Sequence, residues 1–227
     1  MGFWLMNPKA YLETTIASYL TARPSRDLIT AANQQMTHDW WYDHRGQFAL
    51  YVSQFVIEEA SAGDPEAAKR RLAVLADLPQ LDVTDAVQQL AQALLMHVPL
   101  PANAQVDALY IAVATAHGMD FWSPGIVHIL PMPLCGTGLR RFVVPRAMNH
   151  QPFVLRKNSW RPSVMTRDPI VDEVRKFRDA YTKHFQYDLE AICRDIRAKQ
   201  TQSSRQGVSL PPKPVKAPMA PTGQPTA

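Results

Sequence analysis

Cysteine is scarce in this chain of 227 residues: Cys135 and Cys193 stand far apart, in no CxxC or Cys/His ligand spacing. That excludes a disulfide framework and a zinc site and leaves both as free thiols. Long hydrophobic runs are missing as well. No window of about 18 apolar residues is free of charge, so no membrane-spanning helix is expected. The opening MGFWLMNPKAYLETT has too short an apolar run for a secretory leader and no small-residue cleavage pattern. The expected location is the cytoplasm, with no membrane partner. A third absence is local: residues 123–164 contain neither Asp nor Glu. At ordinary composition about one residue in nine is acidic, which gives such a run odds of roughly one in a hundred.

What is present is unevenly spread. Residues 1–122 hold 7 Lys and Arg against 13 Asp and Glu, residues 123–164 hold 6 against none, and residues 165–227 hold 11 against 7. The formal net charge of +4 is thus the sum of an acidic front and a basic back. A basic protein ordinarily invites a nucleic-acid reading. Here the basic excess lies wholly outside the part that reads as a folded enzyme, so net charge alone carries little. The length and the 46% hydrophobic content allow one sizeable core with residues to spare for a small second module.

Along the front, short strands alternate with helices. AYLE and IASYL, broken by a Thr-Thr pair, read as a buried first strand. SRDLITAANQQMTHDWWYDHR reads as a helix capped by Ser25, with Leu28, Ile29, Ala32, Met36 and Trp40 on one stripe and Gly46 as its stop. FALYVS (48–53) is a second strand, and QFVIEEASAG a helical stretch stopped by Gly63. Asp64 and Pro65 supply the cap and first-turn proline of the next helix. LPQLDVT is a third strand, Asp85 opens a helix over DAVQQLAQALLMH, and AQVDALYIAVATAHG forms another. Strands of four to six residues between longer helices predict parallel βα units and a three-layer α/β/α sandwich. That pattern stops after Phe121. Residues 123–164 contain six prolines and no helical or strand period, so this segment is expected to be poorly ordered and to leave one sheet edge uncovered.

From Met165 order returns. Asp168 and Pro169 cap a helix with the stripe Ile170, Val174, Phe177, Tyr181 and Phe185, and a second helix carries Leu189, Ile192 and Ile196. Arg175, Lys176, Arg178 and Lys183 are interleaved with acids and read as a solvated face. The tail from about residue 201 to 227 is Pro-rich and is expected to be disordered or polyproline-like. The expected organisation is therefore 9–121, 122–164, 165–200 and 201–227.

Three carboxylates fall where a parallel sheet would gather them. Glu13 closes the first strand, Glu59 follows the second, and Asp107 lies in the first turns of the helix before the next strand. In such sheets the crevice outside the carboxyl ends of the strands is the functional one. Clustered carboxylates repel unless a cation neutralises them, and hard oxygen ligands select Mg²⁺ or Mn²⁺. Spacing alone leaves plain surface carboxylates as an open alternative. Asp27, Asp64 and Glu58 read as caps and surface charge, Asp120 as a turn residue, and Trp40 and Trp41 as packing; the histidines receive no role.

AYLETTIASYLTARPSRDLITAA, YVSQFVIEEASAGDPEAAKRR and QVDALYIAVATAHGMDF resemble, in order and spacing, successive blocks of the PIN-domain family of VapC-type toxin ribonucleases, over about residues 9–121. The resemblance implies metal-binding and catalytic roles for Glu13, Glu59 and Asp107, with Thr14 and Thr15 beside them. It also implies Mg²⁺ or Mn²⁺ as cofactor, an RNA substrate, and a hydrolase of the type II toxin-antitoxin kind. An antitoxin-like helical partner and a homodimer are compatible with it. The family's fourth ligand, its fifth strand and its last helix are missing: WSPGIVH stands after HGMDF where a pattern such as LVTWN is expected.

A frame change would explain the departure. Permitted codons for residues 121–130, FWSPGIVHIL, read from the third base of the Phe codon, give LVTWNCAHI. The same offset turns residues 153–161, FVLRKNSWR, into a run containing CTPEELME, similar to the family's end. Residues 122–164 are then an out-of-frame PIN terminus, and Met165 the original start of a neighbouring protein. The segment DPIVDEVRKFRDAYTKHFQYDLEAICRDI resembles the small helical proteins encoded beside such genes. The first expectation is an impaired metal-dependent endoribonuclease fused to a partner-like tail. Its rivals are a non-catalytic interaction protein that keeps the PIN surface and an inactive pseudogene product.

Overall fold

The computed structural model describes residues 7–98, 104–123, 130–131 and 168–213. Apart from its four residues within those bounds, the stretch 122–164, with the expectation of disorder attached to it, lies outside the described residues. So does the tail beyond residue 213.

The sheet follows from the alternation of elements. β1 (Lys9–Leu12) is joined through α1 (Thr14–Thr21) and α2 (Leu28–Asp39) to β2 (Ala49–Ser53). α3 (Gln54–Ser61) and α4 (Pro65–Val74) lead to β3 (Gln80–Leu81), and α5 (Asp85–His97) and α6 (Gln105–Ala116) lead to β4 (Phe121–Ser123). β4 pairs parallel with β1, β1 with β2, and β2 with β3. The α/β class is thus realised as a parallel sheet with helices packed on it. Because β1 has β2 on one side and β4 on the other, the strand order reverses beside β1. In an open parallel sheet that reversal opens a crevice at the carboxyl ends of the strands.

Both edges of this set are paired. The two-residue β5 (Leu130–Pro131) lies antiparallel to β4. On the other side β6 (Gly207–Val208) runs parallel to β3. The sequence predicts that residues 123–164 leave one sheet edge uncovered and that the tail is disordered from residue 201; β5 pairs the edge at β4, and residues 203–213 correct the second expectation by pairing β3. Gln80 donates its N–H to the Gln206 carbonyl and Asp82 donates to Val208, so the tail satisfies backbone groups that an edge strand leaves bare. Arg205 donates to the carbonyl of Leu75 at 2.6 Å, and Lys213 pairs with Asp120 at 2.5 Å. Buried His117 joins the two segments: one ring nitrogen, Nε2, lies 2.7 Å from the Asp82 carbonyl, and the other accepts from the Leu210 N–H at 3.1 Å. Gly118 sits at φ +58°, and a Cβ there would stand 2.8 Å from the Pro211 carbonyl, so the tail passes where only glycine leaves room.

Two further expectations are corrected. Residues 16–20 belong to α1, not to a strand. An apolar run this short cannot be assigned by periodicity, and α1 is buried nearly all round because α2, α3, α4 and α7 (Pro169–His184) pack against it. α2 is capped by Asp27, which accepts from the Thr30 N–H at 2.9 Å, rather than by Ser25. Its apolar stripe faces solvent, with Leu28 86% and Ile29 50% exposed. The buried face is polar: Gln34 accepts from the Ser25 N–H and donates to the Arg23 carbonyl, holding the loop before the helix.

α7 and α8 (Leu189–Gln202) share the core of the sheet. α7 packs on α1, α3 and α6, and α8 packs on α3 and α5. Ile192 and Ile196 are fully buried in one cluster with Leu12, Val52, Phe55 and Leu81. Asp168 caps α7 and accepts from the Tyr19 hydroxyl at 2.7 Å, which ties the start of the module to α1. No described helix is long and apolar enough to cross a membrane.

Sharing one core has a measurable consequence. Ile192→Ala is expected to cost about 2–5 kcal/mol and to move a single cooperative urea transition of the whole chain. A main transition left in place, beside a second one that moves, would show that the helical module folds separately.

A candidate acidic site at the carboxyl end of the sheet

Glu13 is the residue after β1 and stands at the start of α1 without capping it. Its extended backbone (φ −96°, ψ 163°) turns the chain out of the sheet at the strand reversal. Glu59 lies on the inward face of α3, in its second turn, and Asp107 in the first turn of α6. Glu13 and Glu59 are 2% and 3% exposed. The Asp107 side chain is half exposed. Glu58, next to Glu59, points elsewhere and pairs with Lys199 at 2.9 Å.

The three carboxylates meet at one cation. Arg178, on α7, places Nε 2.6 Å from Glu59 Oε1, Nη2 2.6 Å from Glu13 Oε2 and Nη1 3.1 Å from Asp107 Oδ1. Its guanidinium lies 4.6 Å over the Tyr110 ring, and the Tyr110 hydroxyl donates to Glu59 Oε2 at 2.8 Å. Planar and delocalised, guanidinium is suited to bridging several carboxylates while stacked on an aromatic face. Beneath the site, the Tyr11 and Ser53 hydroxyls are 2.6 Å apart. Thr14 donates to the Val56 carbonyl at 3.3 Å, and Thr15 is buried beside it.

The electrostatics are those of a crowded acidic pocket. The Glu13 carboxyl stands at about 7: burial pushes it up, Arg178 pulls it back, and Glu59 and Asp107 push it up again. Burial works against the charge of Arg178, but Tyr110, Glu13 and Glu59 outweigh it and hold the guanidinium above its ordinary value. Burial, then the charge of Glu59, holds the Tyr110 phenol well above the usual range. Glu13 Oε1 is buried with no hydrogen-bond partner. A buried lone oxygen of this kind carries a desolvation cost that one more cationic or donor contact would relieve.

The residues present fit a divalent cation by chemistry, being hard oxygens at a point that already requires positive charge. As arranged they surround a planar group, and among the described residues no three acidic, imidazole or thiolate side chains converge as a ready metal cage. The fourth acid is not supplied by Asp120. It accepts from the N–H of Lys9, at the opposite end of β1, as befits a turn residue.

Sequence reasoning named the three acids and missed their partner. Arg178 was read with Arg175, Lys176 and Lys183 as a solvated face, and the structure corrects this for Arg178. The signal was its place inside the apolar stripe, between Val174 and Tyr181 at helical spacing, where a solvent-facing residue does not belong. Tyr110 carried no signal beyond an apolar helix.

A buried cluster of this kind is costly to break from one side. Arg178→Met should lower stability by about 3–5 kcal/mol by stranding two buried carboxylates. Adding Glu13→Gln and Glu59→Gln should return part of the loss in urea titrations. A neutral Arg178→Met would mean that the cluster does not form.

Comparison with protein-family models, with curated proteins and with solved structures finds no match to this chain.

Proposed function

We propose that residues 9–121 form a PIN-like, metal-dependent endoribonuclease unit of the VapC toxin type, and that α7 and α8 hold it closed as an antitoxin-like module in the same chain. The observation that carries the reading is the meeting of Glu13, Glu59 and Asp107, from three distant segments, at the crevice end of a parallel sheet, around a cation. A three-layer PIN arrangement lacking its last strand and helix is the finer form of the fold in this reading.

Glu13, Glu59 and Asp107 are the residues that would hold Mg²⁺ or Mn²⁺. Bound there, such an ion would supply water activation and neutralise the charge that builds on a phosphodiester during hydrolysis. The chain's own residues prepare the site. Tyr110 orients Glu59 through its hydroxyl. Thr14 fixes the start of α1 against α3, so that Glu13 keeps its direction. Burial of Glu13 and Glu59 excludes water and strengthens each charge–charge interaction at the site. Arg178 satisfies the same carboxylates in the closed chain and competes with any other cation, so the chain as it stands should cleave RNA slowly or not at all. The second reading, a non-catalytic interaction protein, is favoured by that closure alone.

Metal binding and cleavage separate the two. Arg178→Ala should gain thermal stability on adding Mn²⁺, by about 2.7 kcal/mol at a hundredfold excess over Kd. It should also cleave single-stranded RNA, while the parent chain does neither. A Glu13→Ala, Asp107→Ala double substitution in the Arg178→Ala background should abolish both effects. Unchanged Mn²⁺ binding after that double substitution would remove the enzyme reading.

A further inference from the structure

The acidic site is one half of what α7 covers. Five residues before Arg178 the same helix carries Glu173, whose carboxylate lies 3.3 Å from the guanidinium of Arg71 on α4. The Arg71 side chain is 7% exposed and that of Glu173 57%, so Glu173 reaches in from the surface to a buried cation. Arg71 is held in place from behind. It donates from Nε to the Ala60 carbonyl at 3.0 Å and from Nη2 to the Ala62 carbonyl, both at the end of α3. Nη1 is left for Glu173. Gly63, at φ +80°, lets the carboxylate approach: a Cβ there would stand 2.8 Å from Glu173 Oε1.

A cavity of about 260 Å³ is shared by the two halves, its lining including Thr14, Ser18 and Glu59 as well as Arg71, Glu173 and Lys176. Five residues advance a helix by about 7.5 Å. Along that rise α7 offers a carboxylate to a buried arginine and a guanidinium to buried carboxylates. A nucleic-acid strand with its counter-cation offers the same pair of charges, phosphate and cation. Arginine held in a fixed orientation is suited to phosphate, whose oxygens accept its planar donors.

We propose that Arg71 is a phosphate-binding residue beside the acidic site and that Glu173 occupies its anion position in the closed chain. As a role for substrate RNA this rests on the nuclease reading; as an anion site it stands without it. Arg71 positions the strand, and α7 blocks the site twice, once with each sign of charge.

The test uses the full chain in EDTA, so that no cleavage occurs, and compares Glu173→Ala with Asp179→Ala. The second variant removes the same charge from α7 at a residue whose carboxylate pairs with Lys183 at 2.7 Å. Binding of a fluorescein-labelled oligouridylate is followed by anisotropy, and inorganic phosphate is titrated while the Arg71 Nε–H resonance is observed by NMR. Glu173→Ala should bind the oligonucleotide about tenfold more tightly than the parent, the scale of one hydrogen bond to a charged group. The Arg71 resonance should shift with phosphate in that variant alone, and Asp179→Ala should match the parent. Equal affinities for the two variants, or an Arg71 resonance that phosphate leaves unmoved in Glu173→Ala, overturn the proposal. Phosphate binding at Arg71 in a chain whose Arg178→Ala form takes up no Mn²⁺ would uphold the anion site and reject the nuclease reading. Mn²⁺ uptake with no effect of Glu173→Ala would do the reverse.

Discussion

Two carboxylates cannot both stay ionised, buried side by side, without a cation, and the described structure is arranged around that requirement. Moving an isolated carboxylate from water into a low-dielectric interior costs several kcal/mol even after relaxation. Glu13 and Glu59 are both buried, and Asp107 adds a third negative charge at their rim. The guanidinium of Arg178 meets the demand from the crevice end of the sheet. For it to arrive there α7 must lie across α1, α3 and α6. Its apolar side, Phe177 and Tyr181, then packs against Phe55, tilted and edge-to-face, at ring separations of 6.1 and 5.1 Å. Charge and packing therefore select the same docking.

The rest of the carboxy-terminal module follows from the sheet's other need, a partner for its edge. α8 lies against α3 and α5 and releases the chain beside β3. There Gln200 accepts from the Val83 N–H, Arg197 donates to the Val83 carbonyl, and β6 adds its two residues. Helix in a crevice and strand on an edge are two established ways for one polypeptide to bind another. Both occur here within a single chain. This is why the helical module and the α/β body share a core although the sequence reads them as separate units.

Much of the front half was legible in the sequence because its signals are local. The proline after Asp64, the helix stop at Gly63 and the alternation of short strands with longer helices each have a near-neighbour cause, and the three acids fall at positions that topology alone brings together. Apart from the cap of α2, the misreadings involve distant partners. The run 16–20 looks like a strand until four helices cover it. The stripe of α2 looks like a core face until Asn33 and Gln34 find polar partners at Asp168 and the 22–27 loop. Residues 203–213 have too few apolar side chains to fold alone and are held by backbone bonds to β3 and by His117, which no composition rule anticipates. Arg178 was the costliest miss, since a charged residue among charged neighbours reads as solvated unless its place on the helix stripe is weighed first.

In the proposed nuclease reading the Arg178 guanidinium stands where a divalent cation would stand. Anomalous diffraction from crystals of Arg178→Ala grown with Mn²⁺ tests it most directly. A Mn²⁺ peak is expected in contact with the Glu13 and Glu59 carboxylates, at the position the guanidinium occupies in the parent chain. Well-ordered carboxylates at that position with no anomalous peak between them would contradict it.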